Sequence, residues 1–311
     1  MVEDLPWMYY GKYRQYLNDT NHPFKDSIDF VIDAEINLPS DFIRHYPVVI
    51  FYHRDPLKHL YPNVYQYAKR IQKICVDDGI RLVNDPDALS RSVKSEQLKI
   101  LSDNGYLVAK SLKFKNITDL SKIELELYPL FIRNNLGHDS DNLTMQGPFS
   151  SYNDLLKGYE DKSLIKKRHL DGKVAIQWID TKSPQDGLYR RYRVFATSID
   201  AITGNLYISA DWYIHGANSI VNPLTQREND DFKNKKLTEK QKNFFININK
   251  VLDLEFSAID YSYAIDGKIV IWEVNPHPAF SSWVDQGELS RIKIVTLLSN
   301  FYEHTLKESL H

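Results

Sequence analysis

Glycine is scarce in this chain of 311 residues, which contains 12 glycines, about 4% where roughly 7% is usual. The sequence has no G-x-x-x-x-G-K-[ST] segment and no G-x-G-x-x-G segment after a predicted strand. These are the common glycine-rich loops that bind nucleotide phosphates. Their absence excludes the usual sequence routes to a nucleotide site, so that any nucleotide must be held in another way.

Cysteine and long apolar runs are also lacking. Cys75 is the single cysteine, which excludes an internal disulfide framework and fits a reducing compartment. No apolar run approaches the ~20 residues that a membrane helix needs, and the acidic first residues do not resemble a secretory signal. The net charge of -2 gives no global basic footprint for nucleic acid. We therefore expect a cytoplasmic protein with neither nucleic acid nor membrane as a partner.

The order of predicted elements indicates a mixed α and β chain. Residues 47–52 and 80–83 are typical of buried strands, and the apolar period of residues 60–78 predicts a helix between them. This strand–helix–strand order favours a small parallel α/β unit. Further predictions are a helix over 87–104; strands over 106–109, 128–133, 174–179, 190–198 and 206–215; a polar surface loop over 216–236; and helices over 237–252 and 289–306. Breaks near 87 and 180 divide the chain into units 1–86, 87–180 and 181–311.

The most informative segment lies near the C-terminus and predicts a β-hairpin. Asp266-Gly267 favours a two-residue type I′ turn between two short strands. Such a turn pairs Ile265 with Lys268. Counting outward from that pair then puts Asp260 directly opposite Glu273. Since side chains alternate between the two faces of a strand, these two carboxylates share a face.

Opposed carboxylates repel each other and destabilise a sheet unless something lies between them. Asn275 follows Glu273 by two residues and so adds an amide to the same face. Three oxygen donors suit Mg²⁺, which is usually held by one or two carboxylates together with phosphate oxygens and waters. The alternative for Asp260 and Glu273 is an exposed acidic face that water screens.

Segments upstream of this hairpin resemble, in the same order, those of the ATP-grasp superfamily, as does the Asp…hairpin…Glu-x-Asn pattern itself. The matching segments are residues 87–94, which end in Lys94; 128–133, which end in Arg133; 175–180; and 190–195, which contain Arg193. The resemblance covers the chain from about residue 82 onward. It implies an α+β ATP-grasp fold, with a small N-terminal α/β pre-ATP-grasp domain and two α+β subdomains around a nucleotide cleft.

The resemblance also implies a role for each matching residue. ATP and Mg²⁺ would be the cofactors, with Mg²⁺ on Asp260, Glu273 and Asn275. Lys94 and Arg133 would bind the nucleotide phosphates, although the family has lysine where Arg133 stands. The hinge residues Gln177, Trp178, Ile179 and Asp180 would contact adenine and ribose, and Arg193 would neutralise charge on the transferred phosphoryl group. Taken singly, Lys94 is more often a solvated lysine, and Arg133 and Arg193 could each be ion-pair partners on strand edges, with Arg193 the better functional candidate.

The implied activity is an ATP-dependent carboxylate–amine ligase that acts on a small molecule or peptide through an acylphosphate. A small-molecule kinase and a nucleotide-binding regulatory protein of the same fold remain open alternatives, and so does a homodimer. Weaker candidates for the site, each more commonly explained by solvation or packing, are Asp186, His138, Asp139, Trp212, His215 and His277.

Overall fold

The computed structural model describes residues 14–15, 17–29, 38–52, 56–122, 127–136, 145–160, 172–214, 218–276 and 287–309. Its strands are β1 Val48–Ile50, β2 Arg81–Val83, β3 Ser111–Lys113, β4 Leu130–Asn134, β5 Gln146–Phe149, β6 Lys173–Gln177, β7 Tyr189–Thr197, β8 Ala201–Ser209, β9 Phe256–Tyr263 and β10 Ile269–Asn275. Its α-helices are α1 Ser40–Arg44, α2 Leu57–Leu60, α3 Pro62–Asp77, α4 Pro86–Ser90, α5 Lys94–Asp103, α6 Tyr152–Glu160, α7 Pro223–Asn234, α8 Glu239–Val251 and α9 Gly287–Ser309.

These strands form a two-stranded pair and two four-stranded sheets. The pair β1-β2 is parallel. The central sheet has the order β3-β6-β4-β5 and the C-terminal sheet the order β10-β9-β7-β8, both antiparallel. Mixed helices and antiparallel sheets confirm the predicted α+β class. No helix in the described part of the chain is long and apolar enough to cross a membrane.

The predicted strand–helix–strand unit is present at the N-terminal end. Helix α3 buries Ala68, Ile71 and Cys75 at spacings of three and four residues, which put them on one face. The helix ends before Gly79, whose φ of +68° favours glycine. Burial raises the pKa of the Cys75 thiol to about 11, so this residue packs in the core and is not poised as a thiolate.

The C-terminal sheet carries helices on both faces. Tyr261 of β9 packs against Phe245 of α8, with ring centroids 5.2 Å apart. Phe195 of β7 and Ala258 of β9 belong instead to a second apolar cluster that includes Leu298 of α9. The largest core cluster includes residues from all three predicted units. The domain boundaries at residues 86 and 180 therefore stay a prediction, and this apolar cluster extends across both of them.

Two predictions about helices are wrong. The single helix expected over 87–104 is two helices, α4 and α5, separated by residues 91–93, where the Ser92 hydroxyl donates to the Leu89 carbonyl and competes with continued helix. The loop expected over 216–236 contains helix α7. Asn222 and Thr225 form a reciprocal capping box around Pro223, and this start signal outweighs the polar composition that favoured a loop.

Two strand predictions also need correction. The strand expected over 106–109 contributes only a bridge between Val108 and Ile271, and β3 follows it at Ser111–Lys113. The connection between the strands expected over 190–198 and 206–215 is misplaced, because residues 203–205 lie within β8. The turn falls earlier, where the Thr197 N–H donates to the Asp200 carbonyl at 2.8 Å, so that the chain has already reversed by Ala201.

Candidate active site

The hairpin between β9 and β10 has a three-residue loop, not the predicted two-residue turn. The Ala264 N–H donates to the Lys268 carbonyl at 2.9 Å, and Ile269 pairs with Tyr263. Gly267, with φ of +79°, occupies the left-handed position that such a loop requires. The predicted pairing of Ile265 with Lys268 is therefore wrong by one residue.

A β-bulge further along β10 restores the predicted register. The register shifts between Ile271 and Glu273, which makes Trp272 an extra residue, and beyond it Glu273 pairs with Asp260. The predicted opposition of the two carboxylates is confirmed. Asn275 pairs with Ala258, so it lies on the same face as Glu273.

Asp260 is buried and is held by an arginine from the neighbouring strand. Arg193 faces it in register and donates from both Nε and Nη2 at 2.7 Å, a bidentate pair. Burial opposes ionisation of Asp260, but the attraction of Arg193 and then Arg191 prevails and holds its pKa below the ordinary range. Asp260 is therefore a permanent anion at neutral pH.

Glu273 meets cations from outside its own sheet. Lys94, the first residue of α5 and itself buried, donates its Nζ to Glu273 Oε1. Arg133 of the central sheet places Nη2 3.9 Å from Glu273 Oε2. The predicted phosphate-binding cations and the predicted metal-binding carboxylates therefore meet where the central and C-terminal sheets face each other.

These side chains form one group, which we call the charge cluster, and it has an excess of positive charge. Within the part of the chain that the structure describes, Asp260 and Glu273 provide two negative charges, whereas the cations within ion-pair distance of them provide four positive charges. The four cations are Lys94, Arg133, Arg191 and Arg193. The cluster therefore suits a polyanion, particularly one that arrives with a divalent metal.

The donors on β9 and β10 fit Mg²⁺. Each carboxylate oxygen has two lone pairs, so Asp260 can accept from Arg193 and still bind a metal. Asp260 is already ionised, as a metal ligand must be. Among the described residues no three His, Cys, Asp or Glu side chains form a metal cluster. Two carboxylates with Asn275 agree instead with a hard cation that takes its other ligands from phosphate and water.

The position of β10 depends on Gln97, which sequence reasoning missed. Its amide donates to the Val274 carbonyl and accepts from the Val274 N–H, each at 2.8 Å. Val274 stands between Glu273 and Asn275, so these two bonds attach helix α5 to the strand that carries the predicted metal ligands. No pattern along the chain reveals this contact, because the two residues are 177 positions apart.

The start of helix α5 is also held by the central sheet. Asn135, directly after β4, accepts from the Ser95 N–H through its side chain at 2.9 Å, and its carbonyl accepts from the Lys94 N–H at 3.1 Å. The start of α5 is thereby capped from another element. Lys94 and Arg133 consequently have a fixed relation to each other.

The predicted hinge follows β6. The N–H groups of Gln177 and Trp178 donate to the Lys110 and Pro129 carbonyls, both at 2.8 Å. Asp180 accepts from the Lys182 N–H at 2.9 Å. Nucleotide contacts of Gln177, Trp178, Ile179 and Asp180 stay a prediction. The N–H groups of Gln177 and Trp178 are not available for such contacts, because both already donate to backbone carbonyls.

The weaker candidates have different outcomes. Trp212 packs against Phe131 of the central sheet, with ring centroids 5.2 Å apart. Asp186 forms an ion pair with Arg190 at 2.6 Å. The remaining ones, His138, Asp139, His215 and His277, lie outside the described residues.

Comparisons with known proteins identify the fold. No protein-family model and no curated protein matches the sequence. Among solved structures, D-cycloserine synthetase DcsG is 14% identical and superposes with a TM-score of 0.58 over 95% of each chain. The D-alanine–D-alanine ligase from Coxiella burnetii is 12% identical, with a TM-score of 0.49 over 77% of this chain and 64% of that one.

The ATP-grasp ligase PsnB, complexed with a phosphomimetic variant of its minimal precursor, Mg and ADP, is 12% identical. It superposes with a TM-score of 0.48 over 85% of this chain and 78% of that one. The chain has the ATP-grasp fold, as predicted, and the superposition on the D-cycloserine synthetase carries this conclusion. Identities this low establish a fold and not an activity.

Proposed function

We propose that this protein is an ATP- and Mg²⁺-dependent ligase that joins a carboxylate to an amine through an acylphosphate. The acceptor is an amino acid, a peptide or a small metabolite. One observation carries the proposal: Arg133 of the central sheet and Asp260 and Glu273 of the C-terminal sheet belong to a single charge cluster. Phosphoryl transfer depends mainly on such positioning and charge neutralisation.

The phosphates would lie between the two sheets. Lys94 and Arg133 would exchange part of their contact with Glu273 for nucleotide oxygens. Asp260, Glu273 and Asn275 would hold Mg²⁺, which when bound neutralises phosphate charge and orients the transferred group. A triphosphate brings about four negative charges and the metal two positive ones, and the two negative charges that remain match Lys94 and Arg133, the two cations that pair with Glu273.

Arg193 is the proposed catalytic residue. Its guanidinium has five N–H donors, of which Asp260 takes two, and the bidentate bond fixes its plane. A fixed cation costs no reorganisation as negative charge develops in the transition state. Adenine would be bound beside the hinge, by the backbone of Ile179 and Asp180, since the N–H groups of Gln177 and Trp178 are used within the central sheet.

The reaction needs no protein nucleophile. A substrate carboxylate oxygen attacks the γ-phosphorus. The bond between the γ-phosphorus and the oxygen that bridges it to the β-phosphorus breaks, and ADP leaves with that oxygen. The amine nitrogen then attacks the acyl carbon, loses a proton, and displaces phosphate that carries one oxygen of the carboxylate. The single cysteine suits this scheme because its thiol is buried and stays protonated. A free cysteine also supports a cytoplasmic location.

Oxygen transfer tests this proposal directly. The protein, ATP, Mg²⁺ and an amine panel are incubated with ¹⁸O-labelled carboxylates, and the released phosphate is analysed by mass spectrometry. A ligase transfers one ¹⁸O atom to phosphate and forms an amide. A stable phosphoester without phosphate release identifies a kinase instead. Background ATP turnover across the panel, despite tight Mg²⁺–ATP binding, supports a regulatory protein and overturns the ligase.

A further inference from the structure

Arg191 is the cation of the charge cluster whose Nε–H group has no hydrogen-bond partner among the described residues. It is two residues from Arg193 on β7, so both side chains project from the same face. Its Nη1 is 4.0 Å from Asp260, beyond hydrogen-bond distance, whereas Arg193 donates to both oxygens of that carboxylate at 2.7 Å. Arg191 Nε is buried and has no hydrogen-bond partner among the described residues.

The guanidinium of Arg191 is held in place by an aromatic ring. Tyr207 of β8 is its direct cross-strand partner, and the guanidinium carbon lies 4.8 Å from the ring centroid. Such stacking fixes the guanidinium plane and leaves its edge for in-plane hydrogen bonds. Arg191 is therefore a preorganised site for a planar oxyanion.

A second polar atom near Tyr207 also lacks a partner. Asn205, only 5% exposed, donates from Nδ2 to Tyr207 Oη at 3.1 Å, and its Oδ1 is buried with no hydrogen bond in the part of the chain that the structure describes. Turning the amide over would leave its nitrogen unpaired instead. Buried polar groups are nearly always satisfied, so two orphans on one face indicate a ligand that completes them.

We propose that Arg191, Asn205 and Tyr207 form a subsite for the non-reacting carboxylate of the substrate. This inference rests on the proposed ligase and names its substrate class. The carboxylate accepts from Arg191 Nε, and an N–H or O–H donor beside it reaches Asn205. A 2-amino or 2-hydroxy acid has this pair of groups. The oxyanion chemistry alone would also suit a phosphate of the nucleotide, and the experiment separates the two sources.

Binding to the full-length chain tests the subsite. The probes are alanine and lactate of both hands, aspartate and glutamate, with alaninamide and lactamide as carboxylate-free partners. Titrations follow the melting temperature, with and without Mg²⁺–ADP. We expect at least one acid to bind the wild type and its amide to fail. Arg191→Gln should weaken that acid at least tenfold while changing Mg²⁺–ADP affinity less than twofold.

Matched variants keep the test decisive. Arg91→Gln removes an arginine that pairs with Asp253 on the surface, and it should leave acid binding unchanged. Should Arg191→Gln fail to fold, Arg191→Lys keeps the charge without the planar edge, and we expect severalfold weaker acid binding. Tyr207→Leu removes the stacking ring and should weaken the acid as well.

Three results would overturn the subsite: unchanged acid affinity in Arg191→Gln, weakened Mg²⁺–ADP affinity instead of acid affinity, or no acid bound by a wild type that binds Mg²⁺–ADP. The second result would make Arg191 a nucleotide ligand. Failure of Mg²⁺–ADP to bind at all would count against the proposed ligase, while acid binding without nucleotide would still decide the role of Arg191.

Discussion

Arg193 on β7 and Asp260 on β9 face each other in register and share two hydrogen bonds of 2.7 Å. The carboxylate is buried, and the pair links the two inner strands of the C-terminal sheet. The same two residues are the proposed catalytic cation and a proposed Mg²⁺ ligand. A variant that removes both charges therefore separates the stability cost of leaving one buried charge unpaired from the cost of losing the pair.

Arg193→Met should be strongly destabilising. It leaves Asp260 as a buried charge without its main partner, and breaking a buried pair in this way costs about 3–5 kcal/mol. Arg193→Met combined with Asp260→Asn should cost less than Arg193→Met alone, because the orphaned charge is gone. Urea denaturation of the three proteins measures the difference. A double variant as unstable as the single one would contradict this account of the pair.

The cost of Arg193→Met should also depend on pH. In the wild type the pKa of Asp260 is below its unfolded value of 3.8, so its stabilising effect is present above about pH 4 and is lost as the pH falls through the folded pKa. Without Arg193, burial raises that pKa and the carboxyl takes up a proton sooner. The difference in the free energy of unfolding between the wild type and Arg193→Met should therefore decrease as the pH falls from 7 toward 4. A constant gap would show that lost packing dominates.

The opposition of Asp260 and Glu273 was predictable, although two errors cancelled on the way to it. Asp266-Gly267 correctly located the hairpin, but its loop contains three residues. The bulge at Trp272 restores the register, and nothing in the spacing of the sequence reveals that bulge. The sequence predicted which side chains share a face because alternation is local. It left Gln97 unassigned because that contact depends on how α5 lies against β10.

Helix α7 illustrates the opposite case, because the sequence contains a helix start signal that the prediction of a loop over 216–236 did not use. Asn222-Pro223 followed by Thr225 is a capping box with proline at the first turn. Polar composition over 216–236 favoured a loop, since only Phe232 of this helix is buried. In this segment the local start signal determines the structure and average polarity does not. By contrast, the orphan atoms of Arg191 and Asn205 depend on how β7 and β8 pair, and that register shifts between Tyr192 and Val194, so only the folded chain exhibits them.

Glu273→Gln should remove most of the Mg²⁺-dependent response to ATP. A ligand at a hundred times its dissociation constant stabilises the wild type by about 2.7 kcal/mol, or roughly 4 °C in melting temperature for a chain of this length. The amide lacks the charge that attracts a divalent cation. Each variant is compared with its own ligand-free melting temperature, with ATP in the presence of either Mg²⁺ or chelator.

Glu303→Gln is the matched control for this measurement, because Glu303 pairs with Lys307 on the exposed side of α9. It should retain the full wild-type shift. An undiminished Mg²⁺-dependent shift in Glu273→Gln would remove β10 from the metal site.

Gln97→Leu should destabilise the protein and disturb the metal end of the site. The change keeps side-chain size but leaves the buried N–H and carbonyl of Val274 unpaired, at about 1–3 kcal/mol for each group. Lys99→Met on the exposed side of the same helix should stay within about 0.5 kcal/mol. Urea denaturation gives both values. Equal stability of the two variants would mean that β10 keeps its position without Gln97.

Gly204→Ala tests how closely β8 must approach β7 beside the charge cluster. A Cβ at this position would lie 2.7 Å from Phe195 Cε2 and 3.0 Å from the Arg193 carbonyl oxygen. Such overpacking costs about 1–3 kcal/mol. Phe195→Leu removes the ring atom that the added Cβ would approach, so the double variant should be more stable than the sum of the two single costs predicts, because neighbouring sites are not additive.

A double-mutant cycle in urea measures this coupling, and Thr225→Ala on α7 replaces Gly204→Ala in the uncoupled control cycle. Full additivity of Gly204→Ala with Phe195→Leu would show that the ring does not set the path of β8, and that the position of Asn205 has another cause.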